Sequence, residues 1–338
     1  MLVKKNIILL SLLVLVACSA TQDESDFDST LYSGKPVESL TNDEPPKSEE
    51  EAISRGDRAL TNKNVDLALY EYIRSLAFHN AQHKDKTLFT IGRIHTAKGD
   101  FELADKAFRA ALSENPNHIG SLEQLGSLYT KQGQKDVGKA YYLRALNADQ
   151  VRLGSSANVT KDNLNQDTIA SLRFDAMSPK DAYVGLGVLY DLKKEHEIAQ
   201  DLLRKALEID AKNVHALVSL GYSYYMVADY FRATHFTSAA LSQSPGDERA
   251  INNLGLIAIA KGKPRQALRI FAKHMSEAEA LNNVGYFLIL LDKPEEAIPY
   301  LQQAINKNPA YYETANKNLE RALAMLREGK DTSTVFLQ

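Results

Sequence analysis

Glycine recurs along this chain at a fixed interval, and that interval restricts the fold more than any other feature. Gly92 and Gly126 are 34 residues apart, Gly187, Gly221 and Gly255 keep the same step, and Gly285 follows after 30. Twelve residues beyond each glycine stands a small residue: Ala104, Gly138, Ala199, Ala233, Ala267 and Ala297. Four further on stands a larger one: Phe108, Tyr142, Leu203, Thr237, Phe271 and Leu301. Self-similarity at such a period marks a stack of supersecondary units, each too small to bury its apolar face alone. Large residues ahead of the glycines, such as Leu122 with Leu125 and Leu217 with Leu220, come at helical spacing. Pro116, Pro245 and Pro309 stand 24 after their glycines. Proline lacks the backbone donor and clashes with the preceding turn, so it ends the second helix of a unit. Each unit is therefore two antiparallel helices that meet where the glycine faces the small residue. Lys98-Gly99-Asp100 offers a glycine at a helix end and an N-cap for the next. A degenerate copy with Gly56, Ala68 and Tyr72 in register brings the number of units to about seven.

This pattern resembles the tetratricopeptide repeat. The resemblance implies an all-α fold, a tetratricopeptide-repeat superhelix (an α-α solenoid), with repeats over residues 52–152 and 180–311. Gly126 and Gly187 are 61 apart, so one period is followed by an insert or linker, residues 153–179. The insert is rich in Asn, Ser and Thr and reads as a long loop with one helical turn, or as a decayed repeat. Residues 312–338 are a capping helix and tail: the spacing predicts a helix over 312–328, with Leu319, Ala322, Leu323 and Leu326 on one face. An open array needs such a cap because its last unit otherwise exposes a core face.

The N-terminus carries a different signal. Lys4 and Lys5 precede an apolar run from Ile7 to Val16, roughly ten residues where a membrane-spanning helix needs about twenty. Residues 1–17 read as a cleaved signal peptide. Leu15-Val16-Ala17-Cys18 resembles a bacterial lipobox, which implies lipidation of Cys18, the single cysteine of the chain. Ser19 next to it implies, by the same resemblance, the periplasmic face of the outer membrane. From Cys18 through residue 51, acidic residues alternate with Ser, Thr and Pro45-Pro46. Such a segment buries little apolar surface and repels itself, and it reads as a flexible tether; an acidic tail that binds a partner is the other reading.

In tetratricopeptide arrays the first helix of each unit lines a concave groove, and the positions three before, one after and four after the glycine face it. These are Val218, Tyr222 and Tyr225, then Asn252, Leu256 and Ile259, then Asn282, Tyr286 and Ile289. The stretches 254–260 and 284–291 hold hardly a polar side chain, whereas a surface helix has a wet face. Either that face is covered within the array, or it takes an amphipathic helix or an extended peptide. The corresponding positions of earlier repeats (Phe89, Arg93, Glu123, Ser127) are mixed, and they lack the Lys, Asn and Arg set that clamps a C-terminal carboxylate.

Catalytic signals are thin. His79 and His83 stand four apart and could share a helix face, but neither a third ligand nor an H-E-x-x-H arrangement accompanies them. Glu195-His196-Glu197 falls in a turn between paired helices. The net charge of −3 gives no basic field to recruit nucleic acid. The expectation is a non-enzyme with no cofactor beyond the lipid on Cys18, and with protein partners.

Within the repeats, Asp181-Ala182-Tyr183-Val184-Gly185-Leu186-Gly187-Val188, then residues 192–200, Asn252-Asn253-Leu254-Gly255-Leu256 and Asn282-Asn283-Val284-Gly285-Tyr286 carry a second resemblance. They are similar to the TadD-like lipoproteins of tight-adherence (Flp-type) pilus assembly, most clearly over residues 180–323. That resemblance implies a scaffold at the outer membrane that helps localise or assemble the secretin pore, with secretin or other assembly subunits as partners. A pilotin-like lipoprotein of a type IV pilus or type II secretion system is the alternative, as is an accessory of outer-membrane protein insertion or cell-wall synthesis.

Overall fold

The computed structural model describes residues 29–41, 43–308 and 311–335, with side chains described to residue 328. Cys18, the lipobox and residues 18–28 of the expected tether lie outside the described residues. Every regular element among the described residues is helical. The chain divides into two compact units, residues 1–107 and 108–338.

In the first unit α1 (Glu49–Thr61), α2 (Val65–Leu76), α3 (Lys84–Lys98) and the start of α4 (Phe101–Glu114) follow two short 3₁₀ turns, Ser29–Leu31 and Val37–Ser39. Ser48 caps α1 by accepting from the Glu51 N–H, and three acids in the first turn suit the positive end of the helix. The spacer expected through residue 51 is shorter than the sequence implies. The helix begins at Glu49, and Leu31 is buried. His95, itself fully buried, places Nε2 2.8 Å from the Leu31 carbonyl oxygen. Ser33 donates to Asp100 at 2.7 Å, and Lys98 Nζ donates to the Ser33 carbonyl. One apolar residue and a run of polar contacts hold this segment in place despite its acidic composition. His79 and His83 do not share a helix face: they fall in the connection between α2 and α3. There the Glu49 carboxylate accepts from the backbone N–H of Gln82 and His83 at 2.6 and 2.8 Å.

The second unit continues with α5 (Ile119–Lys131), α6 (Lys135–Arg152), α7 (Gln166–Ser171), α8 (Lys180–Leu192), α9 (His196–Ile209), α10 (Val214–Met226) and α11 (Tyr230–Gln243). It ends with α12 (Glu248–Ala260), α13 (Pro264–Phe271), α14 (Glu277–Leu290), α15 (Pro294–Lys307) and α16 (Glu313–Val335). The first helices of successive hairpins, α8, α10, α12 and α14, pack side by side. The hairpin of α12 and α13 is the one with the 30-residue step, and α13 is correspondingly short.

One turn geometry closes all seven hairpins. The seventh residue after each repeat glycine is left-handed: Lys63, Gly99, Gly133, Lys194, Ala228, Gly262 and Asp292, with φ between 57° and 84°. The N–H of the next residue then bonds back five residues, as in Asn64 to Ala59, Asp229 to Tyr224 and Lys293 to Leu288, at 2.8 to 2.9 Å. This is the Schellman closure, which satisfies carbonyls the helix end leaves open. Only three of the seven positions are glycine.

The repeat glycines pack chiefly against the larger residue sixteen positions on. A Cβ at Gly187 would lie 2.7 Å from Leu203 and 3.2 Å from the Ala199 carbonyl oxygen, and one at Gly255 would run into the Phe271 ring. The small residue brings the two backbones together, and the larger one then fills the space above the bare glycine.

The insert, residues 153–179, is built rather than loose. Val159, Leu164, Ile169 and Leu172 are buried. The Asn147 side chain pairs with both backbone groups of Val159, at 2.7 and 2.9 Å, and Gln150 does the same with Arg173, at 2.9 and 3.1 Å. At the other end, α16 covers α14 and α15 with Ala315 and Ala322 buried and Leu319 against the core. Leu323, expected on that face, points outward, and Met325 packs in its place.

Candidate partner-binding groove

The groove positions of α10 separate by depth. Val218 is 4% exposed and forms the floor of a cluster with Leu217, Ala240 and Ala250. Tyr222, one turn on, stands 41% exposed above it. Its ring lies 5.9 Å from Tyr225, which lies 6.1 Å from Tyr230. Burial, then the neighbouring phenols, raise the Tyr225 hydroxyl above its ordinary range. Val218 and Tyr222 share a hollow of about 480 Å³ with Val188 and Leu192 of α8 and with Met226. Asp191, Lys194, Ser219, Arg249 and Asn253 complete its lining. The hollow is thus an apolar trough between α8, α10 and α12, with charged groups of both signs on its walls. Leu192 and Met226 were not among the groove positions read from the repeat. They lie next to hairpin turns, where an apolar residue followed by Lys193-Lys194, or the pair Met226-Val227, was the available signal.

Asn252 and Asn282 come together in a second hollow, of about 610 Å³, with Ile251, Met275, Glu279, Asn283 and Tyr312. Its lining is mostly polar. Asn282 is nearly buried and accepts from Asn318 of the capping helix at 2.9 Å, so its amide serves the cap. Ile259 and Ile289 present almost no surface. They belong to the core that also holds Phe271, Val284 and Leu301, so they do not face a partner. The two apolar stretches of α12 and α14 are therefore largely covered within the array, which answers the alternative left open by their sequence. Leu256 is partly exposed, and Tyr286 is exposed with its ring edge-on to Phe287 at 5.5 Å; neither lines the two hollows.

Behind the apolar hollow, Asp191 holds two groups on one oxygen: His196 Nδ1 at 2.6 Å and the Ser223 hydroxyl, donating at 2.9 Å. A nucleophilic triad places the imidazole between hydroxyl and carboxylate. Here both residues bind the carboxylate directly and Ser223 is fully buried, so the set ties α10 to the α8–α9 turn. Glu195 is the N-cap residue of α9, and Glu197 lies in its first turn. Among the described residues no group of three or more His, Cys, Asp or Glu is gathered to hold a metal ion, and no helix is long and apolar enough to cross a membrane.

Glu123 on α5 is the most perturbed acid of the second unit. Its Oε1 accepts from the Ala182 N–H at 2.9 Å, at the start of α8. Burial of the carboxyl, then the Asp181 charge, push it up to about 8.

A family model of the tetratricopeptide repeat matches residues 85–118, 119–151, 180–213 and 278–311. The hairpins it leaves unmatched carry the same left-handed turn at the same position. The fold is that of a tetratricopeptide-repeat solenoid, which typically serves as a non-catalytic scaffold for protein interactions. Over 100 residues it is 31% identical to the type IV pilus assembly protein PilF of Pseudomonas aeruginosa, which is 29% of this chain and 40% of the relative. It is 26% identical over 141 residues to the general transcriptional corepressor ssn6 of Schizosaccharomyces pombe, 39% of this chain and 13% of that one. The chain thus spans two fifths or less of these curated relatives. A solved tetratricopeptide repeat protein of Parabacteroides merdae shares the fold, with a TM-score of 0.51 at 18% identity over 82% of this chain and 99% of that one.

Proposed function

We propose that this chain is a non-catalytic, lipid-anchored scaffold for assembly of a pilus machine. Cys18 carries the lipid, and the apolar hollow under Tyr222 holds a segment of the secretin or of another assembly subunit. The observation that carries the docking step is the hollow itself. Val188, Leu192, Val218 and Met226 form an apolar trough, Tyr222 offers a rigid aromatic wall, and Arg249 and Asn253 supply polar groups at its margin. Such a combination suits an apolar side chain presented by an extended or helical peptide.

Two systems share this reading, each with its own support. The stretch 180–323 resembles the tight-adherence family, which favours an Flp-type pilus and the outer-membrane periplasmic face. The likeness to PilF favours a type IV pilus. Neighbouring genes separate them: a tight-adherence cluster supports the first, a type IV cluster the second, and the absence of secretin, prepilin and traffic ATPase genes sinks both.

A photo-crosslinking residue in place of Tyr222 tests the docking site in the native host. Capture of a pilus assembly subunit, lost when Val188→Asp is added, supports the proposal. Capture unchanged by that charge moves the binding site elsewhere. Mass measurement of the mature N-terminus tests lipidation separately: a diacylglycerol and acyl increment on Cys18 is expected, and an unmodified thiol overturns it.

A further inference from the structure

The two hollows of the second unit are built from equivalent positions, one repeat apart. Val218, Arg249 and Asn253 line the apolar hollow, and Asn252, Glu279 and Asn283 line the polar one. In each set the residues stand three, six and two before a repeat glycine: Gly221 and Gly255 for the first, Gly255 and Gly285 for the second. One step along the array therefore exchanges an apolar floor for an amide, and a guanidinium for a carboxylate. Helix α12 lines both hollows, with Arg249 and Asn253 in one and Glu248 and Asn252 in the other.

The polar hollow has two carboxylates, Glu248 and Glu279, and neither lysine nor arginine in its lining; His274 is there, exposed. Glu248 has no ion-pair partner among the described residues. Glu279 spends one oxygen on the cap of α14, accepting from the Ser276 hydroxyl and N–H at 2.7 and 2.9 Å. Those bonds hold its carboxyl below the ordinary range, so it is ionised, and its Oε1 is left over. Three cations lie within three residues of the lining along the chain. Arg249 pairs with Asp247 at 3.0 Å and Lys317 with Glu313 at 2.5 Å, while Lys273 stands outside the hollow.

The amides add unused capacity. Asn283 donates to the Met275 sulfur at 3.3 Å, which leaves its oxygen as an acceptor. Asn282 is only 5% exposed. It gives its oxygen to Asn318 at 2.9 Å, and its N–H donors meet no acceptor among the described residues. A donor so nearly buried costs free energy that a bound acceptor recovers.

We infer that the polar hollow receives a lysine or arginine side chain of the same partner segment whose apolar side chain sits under Tyr222. The cation lies between Glu248 and Glu279, beside the Tyr312 ring, which adds a cation–π contact. A main-chain carbonyl next to it accepts from Asn282. A neutral sugar would satisfy the amides but leave both carboxylates without a counter-charge. The hollows lie one to two helix widths apart, about 10–20 Å, which roughly three to six residues of an extended segment span. The recognised pattern is thus an apolar residue with a basic one three to six positions away. This rests on the docking site proposed above, but the two hollows carry separate variants and can fail separately.

Selection from a phage library of random twelve-residue peptides against the full lipidated chain in detergent tests the pattern. The strongest peptide is then measured by fluorescence anisotropy, beside its copy with the basic residue changed to alanine. The expected selection pairs an apolar residue with Lys or Arg at the stated spacing. Glu248→Lys with Glu279→Gln, in which Gln keeps the cap of α14, should weaken the basic peptide about ten-fold. It should leave the alanine copy unchanged, as a coupled pair requires. Selected peptides without a basic residue overturn the inference, as does a basic preference that survives Glu248→Lys with Glu279→Gln in a chain of unchanged helical content. Val188→Asp judges the other hollow: binding that it leaves intact sinks the docking site proposed above. Binding that it abolishes, with the basic residue dispensable, sinks this inference alone. Failure to select any peptide counts against both.

Discussion

Thr237 turns its hydroxyl onto the bare Cα of Gly221, and Oγ1 is fully buried there without a hydrogen-bond partner. The other repeats put Tyr, Leu or Phe at this position, and the ring or branched chain fills the space over the glycine. Thr237 leaves a polar group where an apolar one belongs. Thr237→Val keeps the shape and removes the desolvated hydroxyl, and it should stabilise the second unit by about 1 kcal/mol. Gly221→Ala should do the reverse, since its Cβ would meet Thr237, costing about 1–3 kcal/mol. Denaturant unfolding with unchanged slope checks both; destabilisation by Thr237→Val would mean that the hydroxyl has a partner.

The left-handed turn residues give a paired test of backbone strain. Ala228 holds φ at 59°, where a Cβ crowds the following carbonyl. Ala228→Gly should therefore gain about 1 kcal/mol, less the few tenths returned by a looser unfolded chain. At Gly262 nothing lies within 4 Å of an added Cβ, so Gly262→Ala tests the backbone alone and should lose about 1 kcal/mol. Thermal unfolding of the two variants should move in opposite directions. Equal or null shifts would mean that the turn relaxes to a right-handed form.

Glu123 should make stability depend on pH in an unusual direction. Its folded value, about 8, lies above the ordinary 4.5. Between these values the unfolded chain has released the proton while the folded one keeps it. Stability is then fully present below pH 4.5 and falls as pH rises toward 8, by an amount on the order of a few kcal/mol. Glu123→Gln keeps an acceptor for the Ala182 N–H and removes the titration, so it should flatten the fall. A variant whose unfolding midpoint still declines across that window would assign the dependence to another group.

The glycine period made the hairpins legible, down to the degenerate first copy, because close approach of two helices leaves few residue choices. The turns were less so: a left-handed residue is conspicuous as Gly99 but not as Lys63, Lys194, Ala228 or Asp292. The tight packing of Leu31 and Ser33 was hidden because composition averages over a segment whose position depends on one buried side chain. Of the groove positions, Tyr222 stands exposed, whereas Ile259 and Ile289 go into the core. A repeat consensus assigns the same face to every copy, but how much of it is covered depends on the side chains packed against it, and Ile259 and Ile289 lie in one core cluster with Phe271 and Leu301.

Arg152 fastens the insert at its base. Its guanidinium reaches Asp149 at 2.6 Å and Asp175 at 2.7 Å, and the Asp149 carboxylate has no exposed surface. The pair of hydrogen bonds to Arg152 holds Asp175 down to about 2, so the clasp is charged throughout the physiological range. Arg152→Met keeps the stem and removes the charge, leaving Asp149 buried without its counterion. That should cost about 3 kcal/mol or more. Asp175→Asn releases the outer half alone and should cost far less, because Asp175 is exposed and Asp149 keeps its partner. The two should differ in a second way. Arg152→Met should open the segment between Gly154 and Met177 to protease well below the unfolding transition, while the Asn147 and Gln150 clamps still hold it in Asp175→Asn. Cleavage of both variants at the same rate would show that the side-chain clamps, and not the buried ion pair, set the stability of the insert.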